Sequence, residues 1–141
     1  GVAMVQGLFI VLLSALAFGV PWGDPLAAGL LVVVFALVGT GAAMVVGVFA
    51  NDVDQAGALG VMAGMLLGAL GGAMVPLEIF PEPMHTLAYA TPQAWAIQGL
   101  RTVGLRDGGV ADILPELAVL SLFALGLVAL GTWRFRRVLS R

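Results

Sequence analysis

The sequence predicts an all-α, polytopic integral membrane protein with four transmembrane helices and a re-entrant external helical hairpin. Three observations carry that expectation. Of 141 residues, 61% are hydrophobic and only 10% charged, where a soluble domain carries about 25% charge, so there are too few polar side chains to coat a soluble globule. The charged residues are also bunched, which leaves four apolar runs of about the 20 residues that a helix needs to cross about 30 Å of hydrocarbon. Prolines, glycines and acids punctuate the runs at their ends, where turns belong.

The first span is expected over residues 1–20, interrupted only by Gln6 and Ser14 and ending at Pro21-Trp22-Gly23-Asp24-Pro25. The second covers about 26–50 and stops at Asn51-Asp52-Val53-Asp54. A third is expected over 55–77, ending at Pro76 and Glu78, and a fourth over 113–133, ending at Arg134, Arg136, Arg137 and Arg141. Basic clusters beside a helix end resist translocation, so the Arg tail is expected in the cytoplasm. Threading back puts residue 1 inside, 21–25 outside, 51–54 inside and 78–112 outside. Ala15-Leu16-Ala17 resembles a signal-peptidase site, yet no basic region precedes the first apolar run as a secretory signal requires. The chain is better read as beginning partway into a larger membrane protein.

Residues 78–112 are too many for a structureless loop. Pro81 and Pro83 stop the third span, after which Met84, Leu87 and Ala88 recur at helical spacing. A second piece opens with Thr91 as N-cap and Pro92 at the first helical position. Trp95, Ile97, Leu100 and Val103 continue it until Gly104 offers a C-cap. A dozen residues reach about 18 Å and cannot cross. Either two half-length helices fold back within the membrane, where protein must surround them, or an amphipathic hairpin lies at the headgroups with Tyr89 and Trp95 as anchors. Arg101, costly in hydrocarbon, must reach the interface or pair with an acid. Glu78 and Asp107 are the acids in range.

Gly60, Gly64, Gly68 and Gly72 recur every four residues and so share one helix face; Gly39, Ala43 and Gly47 make a shorter version in the second span. Such faces let helices pack closely in lipid, either within the chain or between subunits. Chemistry is mostly excluded. A net charge of -2, with every basic residue an Arg, rules out a nucleic-acid partner. There is no Cys, no Lys for a phosphate loop, and no Glu-x-x-His partner for the single His85. Ser14, Ser121 and Ser140 lack a nucleophile setting. No catalytic, cofactor or metal residue is expected. Asp52 and Asp54 read as solvated charge, and Glu116, with Asp112 as cap, suits the dipole of the fourth helix.

Two segments together resemble a known family. Gly71-Gly72-Ala73-Met74-Val75-Pro76-Leu77-Glu78-Ile79-Phe80-Pro81 is similar to the end of a membrane helix in the permease subunits of type-2 ABC exporters, and Thr91-Pro92-Gln93-Ala94-Trp95-Ala96-Ile97-Gln98-Gly99-Leu100-Arg101 to the short helix that follows it. Gly72, Pro76, Glu78, Pro81, Pro92 and Arg101 are the motif residues. The resemblance implies six spans with both ends cytoplasmic, of which this chain resembles the last four. It further implies a second permease subunit, identical or different, and transport driven by separate ATPase subunits that bind the ATP, so no cofactor sits in this chain. The solute, in bacterial multidrug efflux, is expected to be drug-like or lipid rather than polysaccharide, since the spans offer almost no polar lining. A small oligomeric channel or holin-like protein, held together by its glycine faces, is the alternative. A non-transport assembly subunit is the third reading.

Overall fold

The computed structural model describes residues 2–140. The described residues form six α-helices: α1 (Val2–Phe18), α2 (Pro25–Phe49), α3 (Val53–Leu70), α4 (Glu82–Ala88), α5 (Pro92–Leu105) and α6 (Leu114–Leu139). Short 3₁₀ turns at Leu77–Ile79 and Val110–Ile113 join them, and no strand occurs among the described residues. Three helical stretches, Pro25–Phe49, Val53–Leu70 and Val110–Leu139, are long and apolar enough to cross a membrane, while apolar α1 has 17 residues, the short end of the spanning range.

α2 and α6 form the central pair. They approach closely because each offers a glycine where the other has bulk: a Cβ on Gly41 would lie 2.7 Å from Leu127 Cβ, and one on Gly131 2.9 Å from Met44 Cβ. The buried core runs along this seam through Ala27, Ala28, Leu31 and Val38 of α2 and Leu120 and Ala124 of α6. α5 wedges in beside them, with Gly99 against Leu31 and Val103 fully buried. α1 leans on α2 through Gly7 and Val32. Asp24 starts α2 by accepting the Leu26 N–H at 2.9 Å, with Pro25 at the first position. Asp52 does the same for α3, accepting the Gln55 N–H at 2.7 Å.

Three helix ends and two caps differ from the sequence expectation. α3 ends at Leu70, not near 77, because Gly71-Gly72 caps it: the Gly71 N–H donates to Leu67 O at 2.8 Å, the Ala73 N–H to Gly68 O at 2.9 Å, and Gly72 takes φ +87°. That is a Schellman turn, which glycine adopts without steric cost. α5 runs one residue past Gly104, to Leu105. α6 continues to Leu139 and carries Arg134, Arg136 and Arg137 within its last turns, since nothing in that sequence breaks a helix. Thr91 occupies the N-cap position of α5, but its hydroxyl donates back to Ala88 O at 2.7 Å and caps nothing; Asp112 closes the preceding turn through the Gly109 N–H at 2.9 Å instead of capping α6.

Candidate functional site: the hairpin and the glycine-lined groove

The hairpin is built onto the end of α3. Gly71 gives Gln93 and Thr91 room to approach, and a Cβ on Gly72 would lie 2.6 Å from Leu77 Cγ. Two glycines thus serve both to stop the helix and to seat the segment that follows. Pro76 and Pro81 flank the 3₁₀ turn in extended conformation, and Pro92 is buried at the first position of α5. Leu77, Ala88 and Ala94 form a small core covered by Phe80 and Tyr89. The Trp95 indole N–H donates to Tyr89 O at 2.8 Å, and the two rings meet edge to face at 5.3 Å. α4 has 7 residues and α5 has 14, so neither crosses a membrane alone.

Arg101 and Glu78 come together. The Arg101 guanidinium donates to the Glu78 carboxylate across the mouth of the hairpin, with the two side chains 41% and 57% exposed. That hydrogen bond, ahead of the nearby charge, holds the Glu78 carboxyl below its ordinary value. Asp107, the other acid in range, makes no ion pair among the described residues. It sits at φ +50° beyond α5, where its backbone packs on Gly23. The α1–α2 turn is fastened there: Gly23 N–H donates to Val103 O at 3.3 Å, and the Trp22 indole donates to Ser14 Oγ at 2.9 Å.

The glycine ladder is not packed against backbone within the chain. A Cβ on Gly60 or Gly64 would meet nothing within 4 Å, one on Gly68 only Ala73 at 3.9 Å, and Gly72 lies beyond the helix. Gly60 and Gly64 line instead one wall of a groove of ≈ 420 Å³, faced by Gly39, Ala43 and Gly47 of α2. Gln93 also lines it, with a buried Oε1 that has no partner among the described residues. A second cavity of ≈ 380 Å³ lies between α1, α2 and α5, apolar except for Gln6 and the Trp22 indole.

The comparisons with known proteins bear on this arrangement. A family model described as "ABC-2 family transporter protein" matches residues 1–133. The chain belongs to the ABC-2 transporter family. Among curated proteins, this ABC-2 chain is similar to the linearmycin resistance permease protein LnrN of Bacillus subtilis (strain 168), at 28% identity over 123 residues. The match covers 87% of this chain and 32% of that protein, so the chain spans about a third of the relative's length. No solved structure matches. The family match takes in α1 to α5 and α6 as far as Trp133, and among the described residues of this ABC-2 chain no group of three His, Cys, Asp or Glu could hold a metal ion.

Glu116 and Gln93 were not legible as buried polar groups. Glu116 is 8% exposed beside Gly99, and its Oε2 has no partner among the described residues. A signal existed for both, since a polar side chain within a half-length or membrane helix either faces water or is enclosed, but sequence alone does not say which neighbour encloses it.

Proposed function

We propose that this chain is part of the permease subunit of an ATP-driven exporter in the bacterial plasma membrane, moving an apolar or amphipathic drug-like solute, with its C-terminus cytoplasmic. The observation that carries the reading is the family match over residues 1–133. Two further features support it: the named relative is a resistance permease, and both cavities are apolar, with only the amides of Gln6 and Gln93 and the Trp22 indole to orient a ligand, the usual makeup of a site for an apolar molecule. ATP binds and is hydrolysed on a separate ATPase subunit, and a second permease subunit completes the path. In this reading the Arg101–Glu78 pair pins the outer end of the hairpin and helps close the external gate.

The test uses the full-length permease with its ATPase in proteoliposomes, following efflux of an amphipathic dye. Flux that requires ATP hydrolysis is expected. Flux that persists without nucleotide would favour the channel reading and overturn this one. Arg101→Gln, Glu78→Gln and the double variant then address the gate. Each single change should alter flux, and the double should be no worse than either, as for groups in contact; strictly additive effects would remove the pair from gating.

A further inference from the structure

We propose that the C-terminal ends of α2 and α6 form a binding site for an anionic phospholipid, with one acyl chain in the groove between them and the phosphate at the α6 arginines. The groove, of ≈ 490 Å³, is lined by Met44, Gly47, Val48 and Ala50 of α2 and Phe135 and Val138 of α6. It offers a ligand no charged side chain, so what fills it is hydrocarbon. Its rim is different. Arg134 lies one turn from Val138 on the same face of α6 and reaches across to α2, its guanidinium 4.7 Å from the centre of the Phe49 ring. Arg137 stacks at the same distance on Trp133. Aromatic rings at this level mark the headgroup region of a bilayer, and Arg on an aromatic face keeps its N–H fork available to phosphate.

No ion pair among the described residues neutralises the charge at this end. Among the described residues the ion pair is Arg101–Glu78, so Arg134, Arg136 and Arg137 have no carboxylate partner there, and the buried Nε of Arg134 has no acceptor among them. Of the two acids after α2, Asp52 is engaged as the cap of α3, and Asp54, in the first turn of that helix, makes no ion pair with the arginines among the described residues. An apolar slot with Arg134 at its rim, and Arg136 and Arg137 in the same last turns of α6, matches the two halves of an anionic lipid, whereas a zwitterionic lipid offers the slot its chain but sets its own cation against the arginines. Each Arg near an anionic surface contributes about 1 kcal/mol, about fivefold in affinity.

Trp133, two residues before Phe135 of the slot and stacked by Arg137, reports on lipid at this end of α6. A variant with Trp22→Phe and Trp95→Phe leaves it as the only indole, and phosphatidylcholine vesicles with rising fractions of dibrominated phosphatidylglycerol or dibrominated phosphatidylcholine would quench it. Half-quenching is expected at a several-fold lower fraction of the glycerol lipid. Arg134→Gln should reduce that preference about fivefold, while Arg134→Lys should retain most of it. Gly47→Leu, whose new side chain starts from a Cβ position with nothing within 4 Å, fills the slot and should weaken quenching by both lipids. Equal quenching by the two lipids in the parent would overturn the proposal. So would a preference indifferent to Arg134→Gln, or quenching by both lipids that Gly47→Leu leaves as strong as in the parent, which would mean surface charge without a slot. Native mass spectrometry of the unsubstituted chain, counting tightly held phosphatidylglycerol against phosphatidylcholine, decides the matter independently should the double Phe variant fail to fold: retained glycerol lipid supports the site and no selectivity refutes it.

Discussion

At the scale of single residues, Gly72 and Glu78 make the sharpest claims. Gly72 sits at φ +87° with Leu77 packed over it, so Gly72→Ala meets both left-handed strain, about 1–2 kcal/mol, and a clash. A fall of several degrees in the unfolding temperature in detergent is expected, and an unchanged one would show that the turn can reshape. Glu78, held below its ordinary value of 4.5 chiefly by the Arg101 hydrogen bond, gains stability from the pair at any pH above its unfolded value. The gain is lost only as pH falls through the lower, folded value. The difference in unfolding temperature between the parent and Glu78→Gln should therefore be flat between pH 8 and 6 and shrink only below 4.5. A change near pH 6 would mean that some other group controls the hairpin.

At the scale of elements, glycines that look alike in the sequence behave differently. Gly41 has Leu127 Cβ 2.7 Å from where its own Cβ would be, so Gly41→Leu overpacks the α2–α6 seam and should destabilise by about 1–3 kcal/mol. Gly64→Leu grows into the groove and should leave thermal stability within about 0.5 kcal/mol of the parent, while obstructing any solute that uses the groove. Equal destabilisation by both would show α3 packed more tightly than the structure has it. Spacing made the Gly60, Gly64 and Gly68 face legible, because a period of four is a property of one helix. What that face looks at depends on another helix, and no local pattern encodes it.

For the whole molecule, the absence of Cys makes orientation simple to measure. Single cysteines at Thr86 and Ser140 should divide in intact cells treated with an impermeant thiol reagent, with Thr86 labelled and Ser140 protected; labelling of Ser140 would invert the topology drawn from the Arg tail. The all-helical architecture was legible because charge is bunched at the span ends. The pairing of Arg101 with Glu78 was narrowed to two acids by the cost of an unpaired cation in lipid. The end of α3 was misjudged by seven residues because Gly71 and Gly72 add to an apolar run, while what stops the helix is their backbone freedom. Glu116 escaped for a related reason: a carboxylate in a first turn suits the dipole whether solvated or enclosed, and only the packing of α5 encloses it.

α3 is the helix among the long three without a single buried side chain. It hangs between two joints, the Asn51–Asp52 turn and the Gly71–Gly72 cap, with open space along the face it turns to α2. In mechanical terms it is a door, with α2 as its jamb and the α2–α6 pair as the wall. Swinging it would break few contacts along its length, so the resistance to motion is concentrated at the hinges and at the latch that Arg101 and Glu78 make beyond the second one.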